Sequence, residues 1–357
     1  MEFSIVHEFK CEIIVRRGLL DELSKILATV DPYKILVITD RNLEKSWLSR
    51  VLDELKDLEI ETRVYTLNPG EEAKDIEVVK SIWSFALANG FTRGSVILGL
   101  GGGTVLDVAG FVACTFKRGM KLVVVPTTLL AQVDASLGGK NGVNMVSKNI
   151  IGTFYHPRLV VIDPNTLSTL PEKDYKSGLA EVVKYGLIGE EVYLLLKGNV
   201  KALLNRDLNF LEKIIEKCVN VKMEIVAKDP MEVKGDRMVL NLGHTVGHAI
   251  EAASGFNVSH GEAVAMGLAA ETVMGEKMFG FNRRGEVEGI LNLLGLPTRH
   301  RFSLSKLLNF IKYDKKVWRG KLVFALPAEI GDVRIVENVP MSLVKEALEV
   351  TMYENLR

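Results

Sequence analysis

In the first half of the chain, apolar residues gather into short β-branched runs separated by amphipathic stretches. Lys34-Ile-Leu-Val-Ile-Thr39, Glu61-Thr-Arg-Val-Tyr-Thr66, Ser95-Val-Ile-Leu-Gly99, Lys121-Leu-Val-Val-Val125 and Leu159-Val-Val-Ile162 read as strands. Asn42–Leu58 and Ala73–Asn89 carry helical spacing between them. Alternation of strand and helix predicts a parallel sheet covered on both faces, a Rossmann-like α/β domain whose ligands bind at the carboxyl ends of the strands.

From about Lys176 the pattern changes. Helical spacing runs through Gly178–Leu187, Leu208–Lys228, Met238–Ala253, Glu262–Phe279 and Arg284–Leu294, and only Lys321–Leu326 and Asp332–Glu337 look like strands, a small hairpin. These patterns predict an α/β domain over residues 1–175 and a mainly α-helical domain over residues 176–357, with the cleft between them as the default site. At 357 residues the chain exceeds one ordinary core, which agrees with two domains.

Charge narrows the partners. Lys+Arg and Asp+Glu both number 45, so neither nucleic acid nor an anionic membrane is an expected partner, and any basic site must be local. No apolar stretch is long enough to span a bilayer, and the acid-bearing N-terminus does not read as a signal peptide. Cys11, Cys114 and Cys218 are odd in number and far apart, which points to a reducing cytoplasm.

Three of the six histidines fall in one segment, Asn241-Leu-Gly-His-Thr-Val-Gly-His-Ala-Ile-Glu251 followed by His260-Gly-Glu262. His244 and His248, four apart, share one face of a helix. Paired imidazoles with a distant carboxylate form an open, water-accepting metal site. Thr245 stands where a zinc protease motif carries its catalytic Glu, so that chemistry is excluded. The third ligand must be an acid. Glu181, in the apolar helical run Gly178-Leu-Ala-Glu-Val-Val-Lys-Tyr-Gly186, is a costly place for an unpaired carboxylate, and either a metal or Lys184 one turn later would offset that cost.

Ser95-Val-Ile-Leu-Gly-Leu-Gly-Gly-Gly-Thr-Val-Leu-Asp107 reads as strand, glycine turn and helix start, a cradle for a phosphate. It departs from the dinucleotide fingerprint, because Thr104 takes the third glycine position. Asp40 at a strand end is the better ribose partner. Glu71 and Lys74 lie in another strand-end turn, and Pro126-Thr-Thr128 offers two hydroxyls at the same edge. Asp134-Ala-Ser-Leu-Gly-Gly-Lys-Asn-Gly-Val-Asn144, then Lys148-Asn149, with Arg118 before them, suits capture of an anion. Lys222, Arg237 and Asp314-Lys-Lys316 add cations, which together suggest a substrate with at least two anionic groups.

These pieces together resemble the 3-dehydroquinate synthase family. The matching residues run in order: Pro69-Gly-Glu-x-x-Lys74, Gly101-Gly-Gly-x-x-x-Asp107, Pro126-Thr-Thr-Leu-Leu-Ala-Gln-Val-Asp-Ala-Ser136, Gly138-Gly-Lys140, Gly178-x-Ala-Glu-Val-Val-Lys184, Leu240-Asn-x-Gly-His-Thr-x-Gly-His-Ala-Ile-Glu251 and His260-Gly-Glu-Ala-Val264. The glycine loop alone is shared with glycerol and iron-dependent alcohol dehydrogenases.

The resemblance implies NAD, a divalent metal (zinc or cobalt), the substrate 3-deoxy-D-arabino-heptulosonate 7-phosphate, and a homodimer. By motif, Glu181, His244 and His260 would be metal ligands, and His248 would face the substrate and its phosphate. Lys140, Asn149 and Arg118 would hold the phosphate; Arg237, Lys222 and one of Lys315 and Lys316 would hold the carboxylate end. Asp40, Glu71, Lys74, Gly102, Gly103, Asp107, Thr127, Thr128, Asp134, Lys140, Lys148, Thr166, Leu167, Ser168 and Thr169 would line NAD. The implied reaction oxidises C5 transiently, eliminates phosphate, returns the hydride, opens the ring and closes it by an aldol step, with no net redox. Two alternatives are another sugar-phosphate cyclase and a metal- and NAD-dependent polyol dehydrogenase. Three departures stand out: Asn141 where the family usually has Thr, a loop before Lys148 one residue shorter, and the segment Asp229–Arg237 one residue longer.

Overall fold

The computed structural model describes residues 9–146, 149–314 and 322–353. It divides into two compact units, Met1–Leu170 and Pro171–Arg357.

Among its described residues the first unit holds eight strands, β1 (Glu12–Val15), β2 (Ile35–Asp40), β3 (Thr62–Leu67), β4 (Val96–Gly101), β5 (Lys121–Pro126), β6 (Lys140–Val143), β7 (Ile151–Phe154) and β8 (Leu159–Ile162). Six of them form one parallel sheet in the order β1-β8-β5-β4-β2-β3. The central strands are apolar throughout because both faces are covered: Ile35 to Ile38 and Val96 to Leu98 are fully buried. Helices α1 (Leu23–Ala28) and α2 (Trp47–Lys56) pack Leu23, Leu27, Val51 and Leu55 into the core with Val37, Leu98 and Val123. Helix α3 (Ile76–Ala88) precedes β4, and α4 (Gly103–Thr115), buried along most of its length, follows it.

The strand order reverses between β2 and β4. The chain steps from β2 outward to β3, then returns to the other side of β2. Ligands of such sheets sit at that switch point, off the carboxyl ends of the strands. Asp40 ends β2 and Gly101 ends β4, so the acid and the glycine loop belong to the same corner of the sheet.

All five strands expected from the pattern are present. Three others went unseen. β1 is a four-residue edge strand, too short for a period to register. β6 and β7 form an antiparallel pair inside what reads as a glycine-rich anion loop, with Gly142 opposite Gly152. That hairpin lies against α4 where Gly110 leaves room: a Cβ there would fall 1.8 Å from Asn141 Oδ1. Asn141, the residue that departs from the family pattern, donates its amide to the carbonyls of Gly139 (2.8 Å) and Tyr155 (3.1 Å). It therefore ties the hairpin to the loop that precedes it.

The second unit contains α5 (Glu172–Ile188), α6 (Glu190–Leu204), α7 (Leu208–Lys228), α8 (His244–Ala253), α9 (His260–Phe279), α10 (Arg284–Leu293), α11 (Leu304–Asp314) and α12 (Met341–Val350), with the antiparallel hairpin β9 (Val323–Glu329) and β10 (Asp332–Glu337). Its core joins Val246, Ile250, Met266, Val273, Ile311, Phe324, Leu326, Val344 and Leu348. One expectation fails here. The helix read over Met238–Ala253 is broken: a 3-10 turn covers Asp236–Asn241, and α8 starts only at His244. Gly243 has φ +81°, a left-handed conformation that stops one helix and allows another to begin. Among the described residues, no helix is long and apolar enough to cross a membrane.

Candidate active site

At the switch point of the first unit the chemistry is mostly backbone. α4 begins with Gly102 as its N-cap and has no side chain capping it, so its first amides are open to an anion. The glycines are required by close approach. A Cβ on Gly101 would lie 2.7 Å from Val105 Cβ, and one on Gly102 would lie 3.0 Å from Thr128 Cγ2. Thr127 is buried, its N–H donated to the Gly101 carbonyl at 3.0 Å, which fixes β5 beside the glycine turn. Asp40 accepts from Asn42 N at 2.8 Å, and partial burial raises its carboxyl above the usual range. Asp134 lies in a π-turn over Ala131–Ala135, a wide turn common at functional sites. Gln132 from the same turn donates to Pro126 O, Asp163 O and Thr166 Oγ1, which ties β5 to the Thr166–Thr169 segment. Thr169 in turn accepts from Trp47 Nε1 at 2.8 Å.

Lys74 gathers residues that are distant in sequence. It is only 4% exposed, pairs with Asp107 Oδ2 at 2.6 Å, lies 3.9 Å from Glu71, and donates to Asn149 Oδ1. Asn144 donates to Glu71 Oε1 at 3.0 Å and accepts from Asn149 N at 2.8 Å. Asn149, grouped by motif with Lys140 and Arg118, is thus held by the Lys74 cluster. Lys140 opens β6 and is exposed; Arg118 is exposed and has left-handed φ +65°. Lys148 and Lys315, with its neighbour Lys316, lie outside the described residues.

In the second unit, α5, α8 and α9 converge on a carboxylate. Glu181 on α5 is fully buried. Its Oε2 pairs with Lys184 at 2.6 Å, while Oε1 lies 3.2 Å from His260 Nε2 and 3.4 Å from His244 Nε2. The Lys184 cation therefore takes one oxygen and leaves the other facing the two imidazoles. Burial alone would raise this carboxyl, but the Lys184 ammonium and His244 hold it well below its ordinary value.

Local structure explains the convergence. His260 is the first residue of α9, set there by a capping box between Ser259 and Glu262. Gly261 lets α9 meet α5 backbone to backbone: a Cβ would lie 2.3 Å from Ser177 Cα, one helical turn before Glu181. His244 Nδ1 lies 3.0 Å from Leu242 O, which turns Nε2 toward Glu181. His260 Nδ1 lies 3.3 Å from Glu251 Oε1. Burial opposes charge on His260, yet hydrogen bonds to Glu181 and Glu251 carry its value well above that of a free imidazole.

The ligand atoms of Glu181, His244 and His260 lie within 4.8 Å of one another, and among the described residues no other acid, histidine or cysteine group meets that test. One carboxylate oxygen and two imidazole nitrogens make a donor set that suits zinc or cobalt and leaves positions open for substrate or water. His248 stands at the edge of the group, exposed, with its ring 5.4 Å from that of His244.

Lys222 and Arg237, which look like surface charges in isolation, are both buried. Arg237 donates to Pro230 O at 3.0 Å, and the segment before it is closed on Asp229, whose carboxylate accepts from the amides of Val233, Lys234 and Gly235. That closure accommodates the longer Asp229–Arg237 segment. Sequence reasoning passed over Glu251 and Glu271. The second had a signal: an acid inside the apolar run Gly267-Leu-Ala-Ala-Glu-Thr-Val-Met274.

The chain matches family models described as 3-dehydroquinate synthase N-terminal, over residues 64–177, and 3-dehydroquinate synthase C-terminal, over residues 178–317. It is 47% identical over 334 residues to a 3-dehydroquinate synthase of Pyrococcus furiosus, a match covering 93% of this chain and 97% of that one. The solved 2-epi-5-epi-valiolone synthase of Streptomyces hygroscopicus, with NAD+ and Zn2+ bound, superposes with a TM-score of 0.90 at 26% identity, over 98% of this chain and 99% of that one. A 2-deoxy-scyllo-inosose synthase complexed with carbaglucose-6-phosphate, NAD+ and Co2+ superposes with a TM-score of 0.84 at 26% identity, over 96% of each chain.

Proposed function

The chain belongs to the 3-dehydroquinate synthase family, and from that premise we propose that it converts 3-deoxy-D-arabino-heptulosonate 7-phosphate to 3-dehydroquinate and phosphate, using NAD and a divalent metal, zinc or cobalt. The observation that carries this reading is the Glu181–His244–His260 cluster, built on a buried carboxylate, in a chain that also opens a helix on a glycine turn at its sheet's switch point.

When bound, NAD would supply a reversible hydride acceptor for C5, and the metal a Lewis acid for the oxygen at that carbon. Glu181, His244 and His260 hold the metal, with Lys184 balancing the carboxylate's second oxygen. The α4 amides at Gly102 and Gly103 receive the nucleotide's phosphates. Asp40 takes its ribose hydroxyls, and Glu71, Lys74, Asp107, Thr127, Thr128, Asp134 and the Thr166–Thr169 segment complete the nucleotide site. Lys140, Asn149 and Arg118 anchor the substrate phosphate. Arg237 and Lys222, buried rather than spread on the surface, anchor the carboxylate. Fixing both ends of one substrate aligns the carbon that loses its hydride. His248 faces the substrate rather than the metal, as its exposed place at the cluster's edge suits.

The test is purified protein with metal, a catalytic amount of NAD and the heptulosonate phosphate. Release of phosphate and dehydroquinate in equal amounts is expected. Absence of phosphate release, or NADH accumulating in proportion to substrate, would overturn the reading in favour of a polyol dehydrogenase. The similarity to the valiolone and inosose synthases favours one rival, a cyclase for a different sugar phosphate. A heptulose 7-phosphate lacking the carboxylate separates the two, since only that rival would turn it over efficiently. We further read the enzyme as a cytoplasmic homodimer. Cys11, Cys114 and Cys218 form no disulfide, which supports the compartment. Light scattering should return twice the chain mass, and a monomer that remains fully active would refute the dimer.

A further inference from the structure

We propose that Glu271 is a positioning residue for the metal centre: through the turn at Gly243 it fixes which ring nitrogen of His244 faces Glu181. The inference rests on the reading of Glu181, His244 and His260 as a metal site.

Glu271 lies on α9 in an unbroken buried stretch from Ala263 to Gly275 and is fully buried itself. A carboxylate in such a place is costly unless its oxygens are satisfied. They accept from the amides of Gly243 and Val246, and the Thr245 amide faces them too. These are the first amides of α8, a helix whose N-cap, Gly243, has no side chain to supply a capping bond. Glu271 therefore caps α8 from a neighbouring helix, its oxygens satisfying amides that the helix itself leaves open.

The cap controls more than helix stability, because His244 is the first residue of α8. α9 presses against the Gly243 turn so closely that a Cβ on Gly267 would fall 1.9 Å from Gly243 O. With the turn pinned by Glu271 on one side and Gly267 on the other, the Leu242 carbonyl is aimed at His244 Nδ1, 3.0 Å away. A carbonyl can only accept, so Nδ1 carries a proton, and Nε2, 3.4 Å from Glu181 Oε1, is the nitrogen left to face a metal. Glu271 acts on His244 through the backbone, with no direct side-chain contact required.

The test compares wild type with Glu271→Gln, which keeps shape and one acceptor oxygen, and Glu271→Met, which removes the cap. Zinc affinity of the metal-free protein is measured against a chromophoric chelator, and 15N-histidine NMR of the same protein reports the His244 tautomer. Glu271→Gln should keep the wild-type far-UV spectrum and its NAD affinity, yet bind zinc about tenfold to a hundredfold more weakly, as loss of an outer partner of a metal ligand does. Its His244 should populate both tautomers, which a purely structural role would not cause. Glu271→Met should shift both readouts further; should it fail to fold, Glu271→Gln decides. Wild-type zinc affinity with a single Nδ1–H tautomer in either folded variant overturns the proposal. His244→Ala separates the two levels. If it loses zinc while the Glu271 variants keep it, only the role of Glu271 fails. If it binds zinc like wild type, the metal-site reading fails and takes this proposal with it.

Discussion

The nucleotide edge of the first unit and the metal cluster of the second are built by opposite means. At the edge, the proposed binding groups are backbone amides, and the sequence supplies absence: glycines where a Cβ would crowd Val105 or Thr128. In the cluster, binding groups are side chains, and the sequence supplies expensive presence: a buried glutamate, a buried lysine and imidazoles that compensate one another. An edge of amides depends on steric clearance. A cluster of charges depends on each partner remaining, because one removed partner leaves a buried charge uncompensated.

The largest test of this contrast is His244→Ala. Loss of a metal ligand should remove several kcal/mol of charge stabilisation, so kcat/KM should fall by about a thousandfold or more, with zinc content falling in parallel. NAD affinity should be unchanged; a collapse in NAD binding would break the separation drawn here. The matching change at the edge is Gly101→Ala. Its methyl would meet Val105 at 2.7 Å. Overpacking of this kind costs about 1–3 kcal/mol, visible in the unfolding midpoint, and here it should weaken NAD while leaving zinc affinity alone.

Lys74→Met probes a place where the edge itself uses buried charge. Removing the cation from Asp107 and Asn149 should cost about 1–2 kcal/mol in denaturant unfolding, less than the ~3–5 kcal/mol of a wholly buried pair, because the Asp107 side chain keeps 23% exposure. An unchanged midpoint would mean the pair contributes nothing to stability.

A pH dependence tests the buried acid behind the cluster. Burial pushes the Glu271 carboxyl up to about 8, above its ordinary 4.5, although the Gly243, Val246 and Thr245 amides pull the other way. The fold therefore holds a proton that the unfolded chain releases, so this group's contribution to stability is greatest below about 4.5, declines as pH rises, and levels off above about 8. Urea midpoints of the metal-free protein across that window should fall less for Glu271→Met than for wild type; parallel curves would show that Glu271 is ionised throughout.

Much of this was legible in the sequence, for identifiable reasons. β2, β4, β5 and β8 are buried on both faces, so their composition alone marks them, and α7 spans the same Leu208–Lys228 that the helical spacing marks. β6 and β7 were hidden because glycines face each other across them, which removes the side chains that make a strand's period visible. The continuous helix over Met238–Ala253 was wrong because apolar spacing continues through Gly243 although the backbone does not. The histidines and Glu181 could be named from residue type and motif; Glu251 and Glu271 stood in view, one in that motif and one in an apolar run, but what they hold could not be read, since neither's role is set by its own element.

By itself the sequence determined the alternation of strand and helix in the first half, the helical second half, and the residue types able to hold a phosphate or a metal. These are local properties: a period of two or 3.6, a glycine without a Cβ, an imidazole with two nitrogens. Tertiary structure alone decided that Glu181 meets His260, 79 positions away, and that Glu271 closes the turn before His244 from another helix. The physical reason is that a buried charge has no local preference for a particular partner. Which group offsets its desolvation is chosen when helices pack, and here that choice follows from Gly261 and Gly267, where the backbones approach too closely for any side chain.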